Sequence, residues 1–203
     1  MAAKLSLGWV ILPYLTVWAG MSLWPSAWGA LIGFHLTLLP VILPEWRTLP
    51  TRFRPPVSKK WLLPVALTGL LAGLGLWLIW PWAGLSTGYS AGVAALGLTG
   101  FIWLPFSFYF TLINPWLEEA YWRQAFTSPS RWPAPVDFLF AGYHLFILRL
   151  FVSLPWQALA FGILVLAGWF WRQVSRYTGS LLPAALSHLL ADGSILLVLY
   201  LKA

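Results

Sequence analysis

Apolar runs follow one another along almost the whole chain, each closed by a charge, a proline or a tryptophan pair, at 5–23, 26–44, 61–82, 91–113, 136–152, 155–171 and 181–201. A helix needs about 20 predominantly apolar residues to cross the hydrocarbon core of a bilayer. The pattern therefore predicts an all-α polytopic membrane protein with seven transmembrane helices. It reads as one membrane-embedded domain over 1–203, with N-terminal helices in 1–90 and a helical core in 91–203. The stretch 91–127 is too long for one straight span at about 1.5 Å per residue. Pro105 and Pro115 should interrupt it, with a break or re-entrant bend at Asn114–Pro115 and a separate helix over 116–126. Gly69, Gly73 and Gly75, the first two in GxxxG spacing, predict close helix packing in the third span.

The long polar stretch 45–60, EWRTLPTRFRPPVSKK, carries Arg47, Arg52, Arg54, Lys59 and Lys60 against Glu45, which marks it as cytoplasmic. Alternation then puts the N-terminus with Lys4 inside, 83–90 outside, Arg123 and Arg131 inside, Arg149 near an outer end, Arg172 and Arg176 inside and Lys202 outside. Ten of the twelve basic residues fall on the cytoplasmic side, which agrees with seven crossings. The first run is longer than a signal-peptide core and reads as a retained span.

Composition points the same way. Sixty per cent of the residues are hydrophobic and 8% charged, where soluble domains carry about 25% charged residues. A soluble domain, a nucleic-acid module and a secreted scaffold are excluded, and the lipid bilayer is the first partner. The net charge of +7 is topological, and sixteen Trp suit headgroup-level anchors. The expected location is a bacterial-type plasma membrane with the N-terminus cytoplasmic. Absence of cysteine removes disulfides, thiolate metal sites and a cysteine nucleophile.

An acid inside a span costs about 2.5–3.5 kcal/mol on the insertion scale, so intramembrane acids and imidazoles are functional candidates. Of the five acids, Glu45 and Asp137 fall at polar boundaries and are expected to be solvated, leaving Glu118, Glu119 and Asp192. His144 and His188 share their half of the chain, whereas His35 stands apart in the second span as a hydrogen-bonded packing residue. Measured from cytoplasmic edges at 127, 136 and 181, Glu118/Glu119, His144 and His188 reach similar depths on three different helices, and Asp192 lies one turn beyond His188 on the same face. Glu119 and Arg123 have ion-pair spacing, while Glu118 projects about 100° away and stays free. A carboxylate in an apolar pocket beside an imidazole can act as general base toward water.

These residues stand as EEAYWR at 118–123, FAGYH at 140–144 and HLLAD at 188–192. Together they resemble the three signature motifs of the CPBP intramembrane protease family, EExxxR, FxxxH and HxxxN/D, which includes type II CAAX prenyl endopeptidases and the Abi-type bacteriocin-processing relatives. The resemblance implies a peptide-hydrolysing site in the C-terminal helical core, open to the cytoplasmic face, acting on a membrane-associated protein or peptide. It further implies that Glu118 with His144 activates water, Arg123 orients Glu118 and Glu119, His188 with residue 192 stabilises the oxyanion, and Phe140 shapes the pocket. Asp192 stands where relatives often carry Asn, and a carboxyl donates a hydrogen bond only when protonated. A glutamate mechanism without cofactor is the favoured expectation. Zinc is the alternative, since two His with carboxylates are suitable ligands although the HExxH helix motif is missing.

Gly84–Gly88 fits G-x-S-x-G, but that motif needs a strand–turn–helix setting which a loop between membrane helices does not supply. Arg149 is expected to snorkel. A proton-coupled transporter and a non-catalytic peptide-binding scaffold are the competing functions, the former weakened by the lack of an internal repeat. The topology is directly testable because the chain has no cysteine. Single cysteines replacing Ser58 and Ser86 should react from opposite sides of the membrane, and labelling from the same side overturns the seven-span topology.

Overall fold

A computed structural model describes residues 7–55, 59–85 and 88–203, with no strand among them. Lys4, Ser58 and Ser86, the start of the first expected span and the centre of the Gly84–Gly88 motif lie outside the described residues. The helices are α1 (Leu7–Ser22), α2 (Ala27–Ile42, prolonged by a 3-10 turn Leu43–Glu45), α3 (Leu49–Arg52), α4 (Leu62–Ile79) and α5 (Tyr89–Ala95). They continue as α6 (Trp103–Glu119, running into a π-helical turn Ala120–Ala125), α7 (Pro135–Gly142), α8 (Leu145–Leu148), α9 (Leu154–Thr178) and α10 (Leu182–Lys202).

Among the described residues four helices are long and apolar enough to cross a membrane, Ala27–Glu45, α4, α9 and α10. A fifth is reached if α5 and Gly100–Ala125, bent by 81°, count as one broken span. Seven was expected. The difference lies in α1, with 16 residues, and in the run expected over 136–152, where the apolar helical stretch covers only Pro135–Leu148. At about 1.5 Å per residue both fall short of the roughly 30 Å hydrocarbon thickness.

The predicted break at Asn114–Pro115 does not occur, because α6 runs through Pro115. The chain bends instead between α5 and Gly100, where Gly97 and Gly100 adopt φ of +80° and +48°, a region open to glycine at little cost. Pro105 lies in the first turn of α6, where the missing N–H has no intrahelical partner to lose. Pro115 forfeits one ladder bond in a turn whose Asn114, Pro115, Glu118 and Glu119 are all buried, so packing and side-chain bonds hold the helix across it. The chain beyond Glu119 widens into the π turn and ends with Phe126 N–H donating to Tyr121 O at 3.1 Å.

Helix α4 lies along α10, α1 along α2, α7 against α9, and α6 against both α10 and α2. On α4, Gly69 and Gly73 face the α10 backbone so closely that a Cβ would strike Ser187 and Ser194. Gly73 N–H donates to Ser194 Oγ at 3.1 Å across this seam. Gly75 has nothing near its Cβ position and takes no part, contrary to the expectation that all three glycines pack. The opposite side of α4 exposes Leu63, Leu67, Leu70, Leu71, Leu74 and Leu78, an apolar surface suited to lipid. Arg149 is exposed and donates to Ser22 Oγ.

The seam predicts opposite outcomes for neighbouring glycines. Gly69→Leu or Gly73→Leu should lower the unfolding temperature in detergent markedly, because α4 must lift off α10, whereas Gly75→Ala should leave it equal or slightly raised. Equal effects at all three positions would remove the seam from its structural role.

Candidate active site

The end of α6 delivers the first polar group. Burial of adjacent acids at helix positions 118 and 119 forces them toward different neighbours, since consecutive residues point about 100° apart. Glu119, with no exposure, meets Arg123 Nε at 3.3 Å and His188 Nδ1 at 3.1 Å. Glu118, expected to stay free, is instead bound. The Tyr143 hydroxyl sits 2.7 Å from each of its carboxylate oxygens and donates to them.

Helix α7 and the turn after it supply Phe140, Tyr143 and His144. His144 Nδ1 lies 3.0 Å from Phe140 O; a carbonyl only accepts, so Nδ1 carries the hydrogen and the neutral ring has its lone pair at Nε2. The imidazole stacks on Tyr143, ring centroids 4.1 Å apart. Glu118 and His144 thus meet through Tyr143, and no direct hydrogen bond joins them among the described residues. Phe140 is buried beneath the cluster, with the Arg123 guanidinium 4.3 Å above its ring centroid and edge contacts to both His144 and His188.

Helix α10 contributes His188 and Asp192 from one face, His188 Nε2 standing 3.6 Å from Asp192 Oδ1. Its ring lies flat on Trp171 of α9 at 4.3 Å. Trp171 Nε1 donates to Ser187 Oγ, which fixes the indole that backs the imidazole. Asp192 Oδ2 accepts from Asn114 Nδ2 at 3.2 Å, and Asn114 Oδ1 is 3.0 Å from His35 Nε2. His35 Nδ1 is 3.0 Å from the Tyr109 hydroxyl. A continuous line of polar contacts therefore runs Tyr109–His35–Asn114–Asp192–His188–Glu119–Arg123.

All seven residues singled out from the sequence, Glu118, Glu119, Arg123, Phe140, His144, His188 and Asp192, come together. His35 is hydrogen-bonded and buried, as expected, yet it is joined to the cluster rather than isolated from it. Tyr143, Asn114 and Trp171 were missed. Tyr143 precedes His144, and Asn114 stands one turn before Glu118, an i,i+4 signal that was available; nothing in the sequence marks Trp171.

The site is electrostatically unbalanced, with three carboxylates facing one guanidinium and two imidazoles, so bound protons or water must offset the excess. Arg123 is buried, and none of its Nε, Nη1 and Nη2 has a hydrogen-bond partner among the described residues, its link to Glu119 being an ion contact. Also among them, no group of three or more His, Asp or Glu side chains is placed to hold one metal ion, and His188 already turns each ring nitrogen to a carboxylate.

The other buried arginine behaves differently. Asp137, expected to be solvated, is 1% exposed and paired with Arg172, which has no exposure. Arg172 Nε and Nη2 donate to the two Asp137 oxygens at 3.0 and 2.6 Å, and the remaining N–H groups reach Ser128 O, Ser130 O and Trp132 O. Five donors find five protein acceptors, which offsets the cost of burying the charge pair. It ties the loop before α7 to α9 and so sets where Phe140 and His144 start.

No protein-family model matches the chain, and comparison with curated proteins and with solved structures likewise finds no match.

Because removing one partner of a buried ion pair typically costs about 3–5 kcal/mol, Arg172→Ala should strongly lower thermal stability in detergent. An unchanged unfolding temperature would deny the clamp its role.

Proposed function

We propose that the chain is an intramembrane endopeptidase of CPBP type that hydrolyses a peptide bond of a membrane-associated protein or peptide near the cytoplasmic face. The observation that carries this reading is the convergence of the EExxxR, FxxxH and HxxxD residues on one cluster, Glu118, Glu119, Arg123, Phe140 and His188 buried and His144 and Asp192 half-buried, with Glu118 oriented by Tyr143. The reading includes seven crossings with α1 and α7–α8 counted as short spans, a cytoplasmic N-terminus and a bacterial-type plasma membrane.

The chemistry follows from the donors and acceptors in place. Glu118 removes a proton from a water held also by the His144 Nε2 lone pair, and the water oxygen bonds to the substrate carbonyl carbon. The carbonyl electron pair moves onto oxygen, and the His188 Nε2–H, which at 3.6 Å from Asp192 Oδ1 is not hydrogen-bonded to it, donates toward the oxyanion as charge develops. Collapse breaks the carbon–nitrogen bond, and Glu118 returns the proton to the leaving amine. Arg123 holds Glu119, Glu119 holds His188, and Phe140 floors the pocket. No step calls on a metal.

A proton-coupled transporter is the second reading, favoured by the unbroken polar line from Tyr109 to Arg123. Asn114 argues against it, because an amide exchanges hydrogen bonds without releasing a proton near neutral pH and so interrupts a proton wire.

Terminal-peptide profiling of membranes from cells carrying wild-type protein, Glu118→Gln or His144→Ala tests the reading. New termini should appear with wild type and vanish with both variants while these still insert and fold. Cleavage within a few-fold of wild type in either variant sinks the water-activation scheme. Inhibition by chelator with recovery on adding zinc would replace it with a metal-bound water.

A further inference from the structure

Asn114 is 1% exposed and His35 3%, and neither belongs to the motifs that suggested the site. Their hydrogen bonds can be assigned a direction from one end. Asn114 Nδ2 donates to Asp192 Oδ2, which leaves the amide oxygen facing His35 Nε2. An amide oxygen only accepts, so His35 carries its hydrogen on Nε2. His35 Nδ1 is then an acceptor in the neutral ring, and the Tyr109 hydroxyl donates to it. Every atom in the line has one consistent role, and no member can rotate without breaking its neighbours' bonds.

We propose that Asn114, locked in orientation by His35 and Tyr109, is a positioning residue that holds Asp192 through Oδ2 and so presents Oδ1 to His188. Helix α2 thereby takes part in the site, although it contributes no motif residue. The arrangement accounts for an acid at 192: with the amide supplied by Asn114 on α6, the acceptor belongs on α10. A carboxylate and an amide facing each other across the two helices satisfy one another, whereas two carboxylates would repel. In this role Asn114 acts through Asp192 and His188. The hydrogen-bond relay stands apart from the proteolytic reading, and only its effect on cleavage rests on that reading.

The three histidines of the chain make the relay visible without any substrate. Protein labelled with 15N-histidine in lipid nanodiscs should show His35 as the neutral Nε2–H tautomer in long-range proton–nitrogen spectra. Asn114→Ala should shift both His35 and His188 resonances, and the exchanged pair Asn114→Asp with Asp192→Asn should return His188 toward its wild-type position. Tyr109→Phe removes one hydroxyl from a half-buried site and should shift His35 with the fold intact, which serves if Asn114→Ala does not fold. His35 found as the Nδ1–H tautomer, His188 unmoved in folded Asn114→Ala, or His35 unmoved in Tyr109→Phe each overturns the proposal. On a substrate identified by terminal profiling, Asn114→Ala should lower kcat about 100-fold, the scale of a 1 Å misplacement, with little change in KM. If wild-type protein cleaves nothing while the spectra behave as stated, the endopeptidase reading fails and the relay stands.

Discussion

Charge held away from water must be met inside the protein, because an ion left alone there costs several kcal/mol. Glu118 and Glu119, 2% and 0% exposed, concentrate that demand at one turn of α6. Tyr143 from beyond α7 answers the first, and Arg123 and His188 answer the second. The demand then propagates: His188 needs a partner at its other nitrogen and takes Asp192, Asp192 takes Asn114, and Asn114 takes His35. Four helices are drawn together by satisfying one pair of carboxylates.

Arg123 and Arg172 show how saturation separates a clamp from a group held in reserve. Both are buried beside an acid. Arg172 spends every N–H on the Asp137 carboxylate and three loop carbonyls, and what results is a rigid joint between α9 and the start of α7. Arg123 instead lies over the faces of Phe140 and, farther off, Trp171, which attract a guanidinium without using its hydrogens. Its two terminal nitrogens keep hydrogen-bonding capacity beside the Glu119 carboxylate.

Helix geometry decides how closely these groups meet. The glycine seam lets α10 approach α4 nearly to backbone contact, and Trp171 supports the His188 ring from α9. The π turn after Glu119 inserts extra chain where Arg123 must reach back to its carboxylate, a departure from α-helical pitch often found at functional sites.

The helical class, helices long and apolar enough to cross a membrane, and the scarce polar residues that cluster were legible in the sequence, since apolar run length and charge scarcity are properties of the chain itself. The shared face of His188 and Asp192 was legible too, because i,i+4 neighbours follow from helical pitch, and the Glu119–Arg123 pairing expected from the same spacing forms although Arg123 lies in the π turn. Tyr143 between Glu118 and His144, the burial of Asp137, and the link from His35 through Asn114 to Asp192 were decided only by tertiary structure. Those contacts join residues far apart in the chain, and helical pitch says which face a side chain occupies but not which other helix that face will meet. The same limit moved the bend from Asn114–Pro115 to Gly97–Gly100: proline's missing donor is written in the sequence, while the packing and polar partners that carry α6 across it exist only after the helices have assembled.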